Sequence, residues 1–214
     1  MKFGVIITAG GASTRFGANN KLLEIVQNKT VIEHTLQKFL DFDEIIITAK
    51  KEIIPVLEKL FDKNVKIIEG GKTRQESVYN GLLSCTCDYV LIHDGARPLI
   101  SPEIISKVKT TVLEKNAITV AVKTVDTIKK VDENGLILDT LNRNELYNTQ
   151  TPQAFKTSLI KEVHQKLKGE NNTDDAGMVE KSGFRVYVVD GEYQNIKITS
   201  KSDLEFVKIL LNNH

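Results

Sequence analysis

Residues 3–21 read Phe3-Gly4-Val5-Ile6-Ile7-Thr8-Ala9-Gly10-Gly11-Ala12-Ser13-Thr14-Arg15-Phe16-Gly17-Ala18-Asn19-Asn20-Lys21. A short run rich in Val and Ile stops at paired glycines, and two cations follow. The run suits a strand buried on both faces. Glycines just beyond a strand let backbone N–H groups approach an anion such as a phosphate, and Arg15 and Lys21 add full charges beside them. Two standard phosphate-loop spacings are absent. No Gly-Lys pair stands at the P-loop offset from Gly10 or Gly11, and Gly10-Gly11-Ala12 does not supply G-x-G-x-x-G. Taken alone, the stretch also reads as a glycine-rich turn with a solvated arginine. The apolar run is too short for the core of a signal sequence.

Similar apolar runs recur at Glu44–Thr48, Val65–Ile68, Tyr89–His93 and Ala117–Val122, with amphipathic stretches between them. That alternation predicts βα units around a parallel sheet. Helices are expected over Val31–Leu40, Ile53–Phe61 and Gln75–Leu83. Another should open at Ser101-Pro102, a capping residue followed by proline at the first helical position. The pattern changes after residue 124. Two short alternating segments flank a turn with Gly135, which predicts a β-hairpin over 124–149 projecting from a single domain of residues 1–214. Such a hairpin cannot bury its own faces, so a partner subunit is the expected cover. Beyond Thr151-Pro152 the pattern predicts a helix over Ser158–Lys168, a polar loop, strands at Arg185–Val189 and Asn195–Thr199, and a final helix from Asp203.

The 214 residues include 29 Lys and Arg against 28 Asp and Glu, a formal net charge of +1, with 41% hydrophobic and 27% charged residues. So even a balance argues against a nucleic-acid or membrane coat, and no apolar run approaches the roughly 20 residues of a membrane span. Cys85 and Cys87 are the only cysteines. They stand too close for an ordinary disulfide and are too few for a zinc site, so two inert thiols and a cytoplasmic location are expected. His34, His93, His164 and His214 show no ligand spacing.

Chemistry-bearing residues gather after the strands. Gly70-Gly71-Lys72-Thr73-Arg74-Gln75-Glu76-Ser77 follows the third strand, where backbone groups and the Ser77 hydroxyl could read a base, although a plain turn and helix cap fits as well. His93-Asp94-Gly95-Ala96-Arg97-Pro98 ends the fourth strand with an acid and a guanidinium, a costly choice for an apolar strand unless they are used. Arg143 lies late in the hairpin, in Asn142-Arg143-Asn144-Glu145-Leu146-Tyr147, and Lys197 interrupts the alternation of Asn195-Ile196-Lys197-Ile198-Thr199.

In this order the segments resemble the 2-C-methyl-D-erythritol 4-phosphate cytidylyltransferase family. Further matches are Ile32-Glu33-His34, Asp126-Thr127 in the arm, Thr151-Pro152-Gln153 and Thr173-Asp174-Asp175-Ala176, so the likeness spans nearly the whole chain. It implies an α/β fold: a Rossmann-like, mostly parallel sheet flanked by helices, of the nucleotide-diphospho-sugar transferase type, with a protruding hairpin dimerisation arm. It implies a nucleotidyltransferase that joins CTP to a polyol phosphate, with Mg²⁺ held mainly by the triphosphate, acting as a homodimer.

The resemblance places Arg15 and Lys21 on the triphosphate, Ala9, Gly10, Gly11, Gly71, Lys72 and Ser77 around the nucleotide, and Lys197 near both reacting phosphates. Thr127 and Arg143 would reach the second substrate from the other subunit, beside Asp94, Arg97 and Thr173. Arg15, Lys21, Lys197 and Arg143 form the expected catalytic set. The chain departs from the family where Asn20-Lys21-Leu22 replaces Pro-Lys-Gln, where the Arg15-to-Lys21 stretch is one residue shorter, and where Asn142 replaces an aspartate. Ribitol-5-phosphate cytidylyltransferases share most of these motifs, and a non-catalytic nucleotide-binding module on the same fold is the alternative from another class.

Overall fold

The computed structural model describes residues 1–11, 16–17, 20–170 and 172–212. Arg15, with residues 12–14 of the same loop, and His214 lie outside the described residues. In chain order the strands are β1 (Phe3–Ala9), β2 (Ile25–Val26), β3 (Lys29–Thr30), β4 (Glu44–Ala49), β5 (Val65–Glu69), β6 (Tyr89–Asp94), β7 (Ala117–Lys123), β8 (Lys129–Val131), β9 (Ile137–Thr140), β10 (Tyr147–Lys156) and β11 (Tyr187–Asp190). The helices are α1 (Val31–Leu36), α2 (Ile54–Leu60), α3 (Arg74–Ser84), α4 (Pro102–Lys115), α5 (Thr157–Lys166), α6 (Asp175–Lys181) and α7 (Lys201–Asn212).

Seven strands form one sheet in the order β11-β7-β10-β6-β1-β4-β5, and only β10 runs against its neighbours. This is the mostly parallel, helix-flanked sheet expected from the apolar runs. Side chains alternate between its two faces. Val5, Ile7, Ile45, Ile47 and Leu91 join one core under α1, α2, α4 and α7, while Ile6, Ile46, Val90, Ile92 and Phe155 join the other under α3, α5 and α6. Strands covered on both faces need no polar alternation, which is why their sequences are nearly continuous Val and Ile. The edge strands are the exceptions: β5 stays half-buried and β11 is largely exposed.

Local signals set the element boundaries. Ser101 Oγ accepts the Ile104 N–H at the start of α4, and Pro102 takes the first helical position. Thr30 and Glu33 form a reciprocal capping box on α1. β8 and β9 pair antiparallel across a turn in which Gly135 has φ +83°.

Four expectations need correction. The strand β10 was unforeseen. It holds Pro152, which cannot donate to a ladder, and the structure accommodates it at a register shift between Thr149 and Gln153. Residues 147–149 therefore pair with β7 rather than completing the hairpin. The polar loop before β11 contains α6, capped by Asp174. Residues 195–199 form no strand. They cross the sheet's carboxyl edge, with Ile198 N–H donating to the Ala96 carbonyl and the Ile198 side chain in the core. Asn195 and Ile198 are fully buried while Lys197 between them is exposed, so the alternation of polar and apolar residues does not follow burial here. Among the described residues no helix is long and apolar enough to cross a membrane.

Candidate active site

The parallel strands β1, β4, β5 and β6 end together, with Ala9, Ala49 and Glu69 in adjacent register and Thr8 opposite Asp94. Chain order runs outward from β1 to β5 and then returns to the other side of β1 at β6. Loops diverge at that switch point and leave a crevice, the usual ligand position in such sheets. The crevice holds a cavity of about 310 Å³ bordered by Gly10, Gly11, Lys21, Gly71, Lys72, Ser77, Asp94 and Lys197. Ala9 is buried at the end of β1 beneath it.

A second cavity, of about 360 Å³, lies beside the first and is bordered by Arg97, Gln150, Thr151, Gln153, Thr173 and Asp174. Arg74, Asp94 and Lys197 line both. The two spaces therefore meet at one ionic cluster. Lys197 Nζ lies 3.0 Å from Asp94 Oδ2, Arg97 Nε 3.3 Å from the same oxygen, and Arg74 Nε 3.9 Å from Oδ1. Burial alone would raise the Asp94 carboxyl, but Lys197, Arg74 and Arg97 together hold it well below the usual carboxylate range. Asp94 is thus a fixed anion that positions three cations.

Each cation is held differently. Arg97 is spent on the frame: its Nη1 donates to the Asn195 carbonyl at 2.7 Å, and Asn195 Nδ2 donates to the Thr151 carbonyl at 2.9 Å. The Arg97 guanidinium borders the second cavity and also anchors the crossing segment that carries Lys197. Lys21 Nζ donates to the Ile198 carbonyl at 2.6 Å and so fastens the first glycine loop to that segment. Lys197 keeps 40% of its side chain exposed.

Arg74 is the member of this cluster to which the sequence alone assigns no role, although it stands in a quoted motif. It occupies the first turn of α3, where the helix dipole disfavours a cation. A cation there calls for carboxylate partners, and that was the legible signal. Its Nη1 lies 2.7 Å from Asp175 Oδ2, and Asp175 Oδ1 lies 3.0 Å from His164 Nε2, both side chains fully buried. Burial lowers the Arg74 pKa, but Asp175 and Asp94 outweigh it and raise the guanidinium further.

The second glycine loop is shaped by Ser77. Its Oγ accepts the Gly71 N–H at 3.0 Å and donates to the Thr73 carbonyl at 2.9 Å. A Cβ at Gly70 would stand 2.7 Å from that oxygen, and one at Gly71 would stand 2.1 Å from Glu76 Cβ, so only glycine allows the loop to fold onto α3. Ser77 therefore holds the loop that borders the cavity, with one hydroxyl lone pair left over.

Beneath the cluster, His93 is fully buried and pinned by two bonds. Its Nε2 faces the Arg97 carbonyl at 3.1 Å and must carry the proton, so Nδ1 accepts from the Thr151 hydroxyl at 3.1 Å. Thr151 Oγ1 also accepts the Asp94 N–H at 3.0 Å. Burial pushes the imidazole down to about 4, so this histidine is neutral and structural.

Thr127 and Arg143 are not brought to either cavity within one chain. They lie on the exposed arm, where Arg143 Nη1 donates to the Val125 carbonyl at 3.3 Å.

A family model described as 2-C-methyl-D-erythritol 4-phosphate cytidylyltransferase matches residues 3–213. A protein of that name from Clostridioides difficile is 41% identical, with 98% of this chain and 94% of the relative aligned. The solved 4-diphosphocytidyl-2C-methyl-D-erythritol synthase of Anaerococcus prevotii superposes with a TM-score of 0.87 at 33% identity, covering 99% of this chain and 98% of that one. The Thermus thermophilus 2-C-methyl-D-erythritol 4-phosphate cytidylyltransferase gives 0.85 at 30% identity, covering 99% and 100%. With the match running through both glycine loops, the ionic cluster and the arm, the chain belongs to the 2-C-methyl-D-erythritol 4-phosphate cytidylyltransferase family.

Proposed function

We propose that this enzyme joins CTP and 2-C-methyl-D-erythritol 4-phosphate into 4-diphosphocytidyl-2-C-methyl-D-erythritol and pyrophosphate, a step of non-mevalonate isoprenoid precursor synthesis in the cytoplasm. The carrying observation is that two cavities share Arg74, Asp94 and Lys197. Two anionic substrates in adjacent cavities would meet across that cluster.

In this reading CTP occupies the first cavity. Gly10, Gly11 and the side chains of Arg15 and Lys21 hold the triphosphate, while the Gly71 loop, Lys72 and Ser77 border the cytosine. The polyol phosphate occupies the second cavity beside Thr173 and Arg74. A nonbridging oxygen of its phosphate attacks the α-phosphorus of CTP, and the bond from that phosphorus to the β-phosphate bridging oxygen breaks. Pyrophosphate leaves with the electron pair. A phosphate oxygen is already a nucleophile, so no general base is needed, in keeping with a neutral, buried His93.

The obstacle is charge. The triphosphate carries about −4 and the attacking phosphate about −1.5 to −2 at neutral pH. Lys197 and Lys21 reduce this repulsion in the ground state and stabilise charge on the α-phosphoryl oxygens in the transition state. Mg²⁺ fits this site chiefly as part of the nucleotide. Asp94 is the one carboxylate among the described residues lining the first cavity, and its oxygens already face cations. Bound to the triphosphate, the metal would cancel about two charges and polarise the phosphoryl oxygens, and Asp94 is the carboxylate that could help hold it.

The second substrate's remaining contacts would come from Arg143 and Thr127 on the hairpin of a second copy. The arm's apolar Val125, Val131, Leu136, Ile137 and Leu138 are exposed in one chain, a surface suited to cover by a partner in a homodimer.

Pyrophosphate release with CTP and Mg²⁺ across a panel of polyol phosphates tests the reading. Release with the methylerythritol phosphate is expected. Preference for ribitol 5-phosphate would move the enzyme to the sister activity, and no release with any member would leave a nucleotide-binding module.

A further inference from the structure

A second chemical cluster sits at the opposite, amino edge of the sheet. Cys85 caps α3, Cys87 stands just before β6, and Glu44 opens β4. β1 runs between β4 and β6, and its Gly4 is in register with Glu44 on one side and Val90 on the other. A Cβ at Gly4 would stand 2.9 Å from Cys85 Sγ and 3.5 Å from Cys87 Sγ. The missing side chain is what lets both sulfurs lie over the strand toward Glu44. The two sulfurs and a Glu44 carboxylate oxygen fall within 4.8 Å of one another.

The carboxylate is already oriented. It accepts the Thr86 N–H at 3.1 Å and the Thr86 hydroxyl, both from the residue between the cysteines, and Lys66 Nζ lies 3.3 Å away. We propose that Cys85, Cys87 and Glu44 form a binding site for a zinc-type divalent cation, which would staple the start of β4 to the end of α3 and the start of β6. Two cysteines alone are too few for such a site. The third donor is invisible in the sequence because it arrives from a strand 41 residues earlier, across β1.

Zn–S bonds of about 2.3 Å put tetrahedral sulfurs roughly 3.8 Å apart, so the donors need close by no more than about 1 Å, within reach of side-chain rotation. Two thiolates and one carboxylate, with Lys66 beside them, leave a bound dication electrically balanced. An oxygen donor beside two sulfurs favours Zn²⁺ over Cu⁺, which prefers sulfur alone. A cavity of about 550 Å³ bordering Cys85, Thr86 and Cys87 gives solvent access for a fourth ligand.

The test uses the full-length, reduced protein without a polyhistidine tag, titrated with Co²⁺ as probe and then with Zn²⁺. Expected are a sulfur-to-cobalt charge-transfer band, its loss on stoichiometric addition of one Zn²⁺, and a thermal midpoint that rises with Zn²⁺. Cys87→Ser should abolish the band, and Glu44→Gln should weaken Zn²⁺ binding by at least the about tenfold typical of losing a supporting group. Pyrophosphate release with Mg²⁺, measured at the other edge of the sheet, reports that each variant is folded. The wild-type spectrum decides even if a cysteine variant does not fold. Absence of the band in wild type, a band that survives Cys87→Ser, or a product lighter by two hydrogens from direct thiol oxidation without metal uptake would overturn the proposal.

Discussion

Replacing Asp94 by Asn should separate the two things the ionic cluster does. The carboxylate is 8% exposed and faces Lys197 at 3.0 Å, Arg97 at 3.3 Å and Arg74 at 3.9 Å. Removing one partner of a buried ion pair typically costs about 3–5 kcal/mol. The lower end, about 3 kcal/mol, applies here. Asn keeps one oxygen, Lys197 is 40% exposed and partly served by water, and Arg74 retains Asp175. For a chain of this size that corresponds to a midpoint lower by roughly 6–12 °C. Turnover should fall about a hundredfold, since Lys197 and Arg74 lose their common pivot and a misplacement near 1 Å costs about that much. CTP binding should not weaken, because the cleft gains one net positive charge.

The pH dependence has a definite sign. The folded pKa of Asp94 lies below its ordinary value of 3.8, so its stabilisation is fully present above that value and is lost as pH falls below it. The stability gap between wild type and variant should therefore be constant near neutrality and narrow only in acid. Thermal unfolding across pH, CTP titration calorimetry and pyrophosphate release supply the readings. Turnover within threefold of wild type, or a gap that titrates near pH 7, would refute the role given to Asp94.

Lys21→Ala should reduce turnover by about a hundredfold or more, the size of a lost transition-state donor, while the broken bond to Ile198 costs stability only about 1–2 kcal/mol; near-normal single-turnover rates would contradict it. His93 must be neutral in the fold, and its pKa drops from 6.5 to about 4, so the native state should lose about 3 kcal/mol as pH falls across that window. Urea unfolding at pH 7 and pH 4 checks this, and a flat profile would contradict it. Arg143→Ala should impair use of the polyol phosphate more than CTP, and mixed dimers with Lys21→Ala should recover part of the activity. Properly formed mixed dimers without recovery would argue against a site shared between chains.

What was legible in the sequence follows the physics of each segment. The central parallel strands are apolar because both faces are covered, and the Ser101-Pro102 start of α4 is a local signal that needs no tertiary context. β10 was hidden for the opposite reason. It lies in the middle of the sheet, yet its buried Gln150, Thr151 and Gln153 are polar. Gln153 shows how this is possible: Nε2 donates to Thr119 and Asp174, and Oε1 accepts the N–H groups of Asp175 and Ala176. Every hydrogen-bonding position of that side chain is used by residues distant in sequence, so no window around it could announce a strand.

The same distinction divides the site. The glycine loops and Lys21 are local patterns beside a strand end. The bracing by Arg97, the Arg74–Asp175–His164 chain and the placement of Lys197 depend on segments up to about a hundred residues apart, such as Arg74 and Asp175, 101 residues from each other. Asn195–Thr199 reads as a strand only because polar and apolar residues alternate there; the polar Asn195 is as buried as Ile198, held by bonds to Gln150 and the Thr151 carbonyl rather than by a ladder.

The most direct measurement follows the α-phosphorus itself. Incubating the enzyme with Mg²⁺, the methylerythritol phosphate and CTP labelled at the α-phosphate should move all of the label into the diphosphocytidyl adduct, with unlabelled pyrophosphate formed in equal amount. Label recovered as CMP or CDP, or left in CTP while the polyol phosphate binds, would contradict transfer across the cluster of Arg74, Asp94 and Lys197.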